Sequence, residues 1–334
     1  MMRRVNFSWD KGVALFLILA VVLGSLLSDN FANVSNLSFV LRDVTEFAII
    51  ALAMTFLIIS GEIDLSVAST LNLSSASLGF LYRAGLPFEM AIVGGLLVGL
   101  TCGLFNGYLV TKLGLPSLAV TIATLALYRG LSYALLGNKP VNELPEFWIS
   151  IGYGRIPGTF IPWSTILLVV LAGVAWFILH NTRYGRWTFA IGINKEAAQF
   201  SGIPVQRTKL MLFAMTGLMS GVAGVVYTLR FASASPDGAV GYELSIIAAV
   251  LFGGVSIAGG VGTLWGVLAA VLSLGVIRSA LQLAGFTANS LLIVSGSLLL
   301  ISVIAPKITE GLRTRANAGS KVHNKKTNRE VENE

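Results

Sequence analysis

Long apolar runs separated by brief polar interruptions dominate this chain. Ten runs stand out, near 12–27, 44–60, 66–81, 89–111, 115–137, 163–180, 210–229, 243–258, 264–283 and 287–304. A membrane-crossing helix needs about 20 largely apolar residues, with about 17–25 common. The pattern therefore predicts an all-α membrane protein, a polytopic helical bundle of about 10 transmembrane helices. The runs 44–60 and 66–81 are broken by SGEIDLS and read either as two crossings or as a re-entrant hairpin, which would leave about eight. Removing two crossings preserves parity, so the sidedness of everything downstream is the same in both readings.

Composition agrees with the pattern. Apolar residues make up 55% of the 334 positions and charged residues 12%. Mean hydropathy is +0.80. A soluble domain carries roughly 25% charge, about twice what this chain offers a water-facing surface. Glycine is abundant at 36 residues, as expected where membrane helices approach closely. One cysteine, Cys102, excludes an internal disulfide, and two histidines, His180 and His323, give no metal-site spacing.

The net charge of +7 is not gathered into a nucleic-acid-binding face, and no nucleic-acid partner is expected. Most of the basic residues sit at Arg3, Arg4 and Lys11, in 181–209 and after Pro306. Segment 181–209 holds five Lys or Arg against Glu196, a net +4, and 305–334 holds seven against four Glu, a net +3. Segment 138–162 balances at zero. Under the positive-inside rule the basic segments share one side, which predicts N-in and C-in. Residues 1–305 then form the transmembrane domain with a cytoplasmic loop at 181–209, and 306–334 reads as a disordered basic cytoplasmic tail resting on lipid headgroups. The first run lacks a small-x-small cleavage pattern and is expected to remain as an anchor.

Residues 182–205, TRYGRWTFAIGINKEAAQFSGIPV, form the most structured of the polar interruptions. Asn194 reads as an N-cap, and Gly202 with Pro204 as a stop. The helix between them has about two turns and is about 10 Å long. It cannot span, so it lies at the cytoplasmic face, with Gly185, Gly192 and Gly202 permitting sharp turns around it. It reads either as a docking knob or as a merely solvated basic loop.

A path for a polar solute needs hydrogen-bonding side chains facing the bundle interior. Candidates are Asp64, Asn72, Asn106, Tyr128, Arg129, Arg278, Gln282 and Asn289. Each has a plainer role open to it: Asn106 in interhelical hydrogen bonding, Arg278 in snorkelling from the outer end of its span, Asp64 or Ser66 in capping the helix after the break. GGVSIAGGVG at 253–262 reads as a tight turn between spans or as a re-entrant loop, the turn being favoured. The charges Lys139, Glu143, Glu146, Arg155, Arg230 and Asp237 fall in outer loops. A proton- or sodium-driven carrier would need carboxylates within the spans, whereas Glu46 and Glu243 fall at run ends. A membrane enzyme would need a catalytic dyad or a metal site, and none is evident.

Four segments carry a resemblance. TRYGRWTFAIGINKEAAQFSGI at 182–203, SGEIDLSVAS at 60–69, GLFNG at 103–107 and GYELSIIAAVLFGGVSIAGGVG at 241–262 occur in the order found in permease subunits of bacterial ABC sugar importers. The likeness is to the ribose, rhamnose, xylose and autoinducer-2 group and runs from about 40 to 305. Glu62 and Ala68 depart from glycines of the family's SGGIDLSVGS pattern, which puts exact backbone transfer there in doubt. The resemblance implies a second permease (another copy or a related chain), two ATP-binding subunits that hold ATP and Mg²⁺, an extracytoplasmic substrate-binding protein, and a bacterial plasma (inner) membrane location. This chain has no GxxxxGK[ST] phosphate loop and needs no cofactor of its own. The partner-coupling residues would be Gly185, Arg186, Gly192, Asn194, Glu196, Ala197, Ala198, Ser201 and Gly202. The main rival is a secondary carrier with no ATPase partner.

Overall fold

The computed structural model describes residues 9–286 together with 293, 296, 297 and 300. Arg3, Arg4, Asn289, nearly all of run 287–304 and the tail 306–334 lie outside the described residues.

Every regular element there is helical: α1 (Trp9–Leu27), α2 (Val34–Ile59), α3 (Val67–Arg83), α4 (Phe88–Thr111), α5 (Ser117–Leu136), α6 (Glu146–Tyr153), α7 (Trp163–Asn181), α8 (Arg183–Ile193), α9 (Lys195–Phe200), α10 (Val205–Phe231), α11 (Tyr242–Phe252) and α12 (Leu264–Leu283). Six of these, α1, α4, α5, α7, α10 and α12, are long and apolar enough to cross a bilayer. The chain is a helical membrane protein.

At the centre stands α2, apolar on all sides and buried almost throughout from Asp43 to Ile59, as a helix enclosed by others must be. It starts well before the apolar run at 44, capped by the Asn33 side chain, which accepts from Ser35 N. Glu46 is therefore an interior residue of the helix and not a terminal one. Around α2 pack α10, α12, α7 and α11.

Glycine sets the close approach of α4 and α10. Gly99 and Gly103 lie one turn apart on α4 and face Gly217 and Gly221 of α10. A Cβ on Gly103 would sit 2.3 Å from the Phe213 carbonyl oxygen, and one on Gly217 would sit 2.4 Å from that of Gly99. The two backbones touch directly, the arrangement by which membrane helices gain dispersion energy without a hydrophobic driving force.

The structure shortens one predicted run. The run at 243–258 is helical only as α11, which stops where Gly253 and Gly254 begin a turn. Gly254, Gly259 and Gly260 all take positive φ in it. The glycine-rich segment is thus the turn that the sequence predicts.

Candidate functional site

The interruption at 182–205 contains one helix more than its sequence suggests. Thr182 begins α8, its side chain accepting from Gly185 N at 3.5 Å. Asn194 then ends α8 and starts α9. Its N–H donates to the Ala190 carbonyl at 3.1 Å, while its Oδ1 accepts from Ala197 N at 2.9 Å. Gly202, at φ +80, turns the chain out of α9, and Ile203 N donates back to the Ala198 carbonyl.

The coupling residues separate into two groups. Arg186, Asn194, Glu196, Ala197, Ser201 and Gly202 are exposed. Ala198 is instead buried against Ile191 and Val205 and fixes the helix to its base. Gly185 and Gly192 are not turn residues: both lie inside α8 and serve close approach. A Cβ on Gly192 would fall 1.8 Å from the Ile59 carbonyl oxygen and 2.4 Å from Gly260 N. The same Ile59 carbonyl accepts from Gly260 N at 2.8 Å. The α8–α9 unit is thus seated on the end of α2 and on the α11–α12 turn. The start of α1 joins them, Trp9 Nε1 donating to the Phe252 carbonyl at 2.7 Å and Thr263 Oγ1 to Asp10 at 2.8 Å.

Sequence reasoning missed the most conspicuous residue here. Phe200 is 93% exposed at the end of α9, and Ile193 is 74% exposed before it. Apolar residues flanking and ending a short polar helix that cannot enter the bilayer were the available signal.

Beneath this knob lies the SGEIDLS break. Asp64 Oδ1 accepts from Ser66 N at 2.8 Å and from Ser66 Oγ at 2.6 Å. Asp64 thus holds Ser66, the residue that precedes α3, and Ser66 itself makes no side-chain cap to that helix. Asn106 Nδ2 donates to Ser66 Oγ at 2.8 Å. Tyr128 Oη lies 3.0 Å from Asn106 Oδ1 and 3.1 Å from the Cys102 carbonyl oxygen, one of which takes its proton. Three sequence candidates, Asp64, Asn106 and Tyr128, thus form one buried chain that ties the break to α4 and α5. Glu62, the departure from the family pattern, pairs with Lys209 of α10. Asn106→Leu should cost about 1–3 kcal/mol by stranding buried groups on Ser66 and Tyr128, measurable as a lowered midpoint of thermal unfolding.

The other candidates lie elsewhere. Asn72 is fully buried on α3, its Nδ2 donating to the Pro236 carbonyl at 2.6 Å. Arg129 is half-buried on α5 and Gln282 exposed at the end of α12; neither joins the Asp64 chain. Arg278 does not simply snorkel. About midway along α2, on the side of Phe47 away from α9, Arg230 binds Asp43 at 2.8 Å and Glu46 at 2.9 Å, and Arg278 lies 3.4 Å from Asp43. Arg230, read from the sequence as a loop charge, is a nearly buried clamp between α10 and α2.

Comparison with known proteins bears on this architecture. Residues 36–303 match a family model described as the permease component of a branched-chain amino acid transport system. The chain belongs to this permease family. A ribose import permease of Bacillus subtilis is 38% identical over 305 residues, covering 90% of this chain and 95% of that protein. Its counterpart in Haemophilus influenzae is 36% identical, covering 88% and 91%. An autoinducer 2 import system permease of Escherichia coli K12 is 33% identical over 327 residues, covering 94% and 98%. The chain is a transport subunit and not an enzyme, and it resides in the bacterial plasma membrane.

Proposed function

We propose that this permease forms the translocation path of an ATP-binding-cassette importer for a sugar or sugar-like solute of the ribose, rhamnose or autoinducer-2 class. The observation that carries the coupling half of this reading is α9, a short helix with an exposed apolar tip, held through Ala198 against α8 and Val205, with α8 in turn seated on the end of α2 and the α11–α12 turn. The printed substrates of the relatives support the solute class.

The chain crosses the membrane about ten times with N-in and C-in, as basic charge and hydropathy favour. The clustering of the start of α1, the α8–α9 unit and the α11–α12 turn at one end agrees with that orientation. Residues 1–305 are the membrane domain and 306–334 a cytoplasmic tail. A second permease chain, two ATP-binding subunits holding ATP and Mg²⁺, and an extracytoplasmic binding protein complete the importer. Arg186, Asn194, Glu196, Ala197, Ser201 and Gly202, with Phe200 added, meet the ATP-binding subunit, while Gly185, Gly192 and Ala198 hold the knob in place.

The test is ATP-driven uptake by the complete complex in liposomes, using labelled ribose, rhamnose, xylose and autoinducer-2. Accumulation of one of them with ATP supports the reading; accumulation driven by an ion gradient without the ATPase would replace it with a secondary carrier. Phe200→Asp should weaken ATPase docking by about 2 kcal/mol or more, roughly thirtyfold in affinity. Thermal unfolding of the isolated permease should not change, because Phe200 touches almost nothing within the chain.

A further inference from the structure

Where the sequence shows a full crossing at 243–258, the structure has half of one. The eleven residues of α11 rise about 16 Å against a hydrocarbon core about 30 Å thick. Its first residue, Tyr242, stacks on Phe47 with ring centroids 4.2 Å apart. Phe47 lies near the middle of α2, about 18 Å along the axis from Ile59. Hence α11 begins at mid-depth.

The missing half is supplied by residues 232–241, which are not helical and turn inward. Ala234, Pro236, Gly238 and Ala239 are buried. Asn72 grips the Pro236 carbonyl at 2.6 Å from a position about 16 Å below the Arg83 end of α3. Non-helical backbone at such depth is tolerated only where protein covers it or where it lines an aqueous cavity. The segment is held by a handful of pins: Val141 and Ala234 exchange backbone bonds at 3.0 and 2.9 Å, Ser233 Oγ donates to Asn142 at 2.7 Å, and Ala239 N donates to Tyr227 Oη at 3.3 Å.

Around this segment three buried oxygens have no donor among the described residues: Glu46 Oε1, Asn72 Oδ1 and Glu243 Oε2. Glu46 and Asn72 are wholly buried, and Glu243 stands in the first turn of α11. Asn72 Oδ1 adjoins the inserted segment, since a Cβ on Gly238 would meet it at 2.7 Å and Tyr227 Oη at 3.1 Å. Each such orphan costs about 1–3 kcal/mol. All three are acceptors, and the rings of Phe47, Tyr227 and Tyr242 stand among them. Hydroxyl donors above apolar ring faces are what a polyhydroxylated solute offers.

We infer that residues 232–241 are a gate closing the solute path on the side away from α9, and that Asn72, Glu46 and Glu243 receive solute hydroxyls when it withdraws. This rests on the importer reading, and the experiment separates the two. In the assembled complex in liposomes, Ala239→Cys in a Cys102→Ser background is treated with a membrane-impermeant maleimide. Labelling should rise about fivefold or more when ATP and the binding protein drive turnover. A complex that hydrolyses ATP while labelling stays constant overturns the gate; a chain that assembles with no ATPase overturns the importer reading instead.

The contact itself is tested with ribose and its singly deoxygenated analogues, each at saturating binding protein. The wild-type complex should move at least one analogue more slowly than ribose, and Asn72→Leu should shrink that ratio about fivefold or more. An unchanged ratio, or a wild type that treats all the analogues as it treats ribose, overturns the hydroxyl contact. A merely structural role for Asn72 would lower both rates together and leave the ratio as it was.

Discussion

Gly103→Val is expected to yield no assembled permease. The valine Cβ would fall 2.3 Å from the Phe213 carbonyl oxygen and 2.9 Å from the Cα of Gly217. Both obstacles are backbone and cannot swing aside as a flexible side chain would. Relief requires α4 and α10 to separate along the contact that also uses Gly99 and Gly221. Overpacking in a core costs about 1–3 kcal/mol when neighbours can shift; here the yielding unit is a whole helix, so the loss should exceed that range. The expected readout is loss of the monodisperse peak in detergent size exclusion. Gly130→Ala is the matched control, because nothing lies within 4 Å of its Cβ position. It should be neutral or slightly stabilising, given alanine's advantage of about 1 kcal/mol within a helix.

The second large effect is at Arg230. Arg230→Met removes the guanidinium that binds both Asp43 and Glu46, leaving buried Glu46 with no ion-pair partner among the described residues and Asp43 with only the more distant Arg278. Breaking a buried pair from one side costs about 3–5 kcal/mol. The thermal unfolding midpoint should fall sharply. The compensating variant gives the sign check: Glu46→Leu combined with Arg230→Met keeps Asp43 beside Arg278 and removes one charge of each sign. It should recover most of the lost stability, as apolar replacements of buried ion pairs do. If the double variant is no better than the single, the cluster does more than neutralise itself.

Much of this molecule is legible in its sequence, in proportion to how local the signal is. The runs at 12–27, 89–111, 115–137, 163–180 and 264–283 match helices to within a few residues, because hydropathy over one turn of bilayer depends on those residues alone. Asn194 and Gly202 disclose α9 because capping is also local. Asp64, Asn106 and Tyr128 could be named individually, whereas their joining into one chain depends on how α3, α4 and α5 cross. What misleads is charge. Glu46 and Arg230 look like boundary residues, since a charge in hydrocarbon is costly; each is admitted to the interior by pairing with the other, 184 residues away, and Arg230 by Asp43 as well. The run at 243–258 misleads differently, since its glycines carry no polar side chain to interrupt the apolar run although they end the helix.

The Ile59 carbonyl has one more consequence. Backbone from α8, from the end of α2 and from the α11–α12 turn meets there with no side chain between the layers. Nothing soft lies at that joint to absorb a displacement. In the importer proposed above, a shove on α9 would pass through this joint to the α11–α12 turn and the foot of α11, whose other end, half a membrane away, meets the inserted segment 232–241. In that importer α11 would serve as a pushrod, its incomplete length setting its far end at the proposed gate.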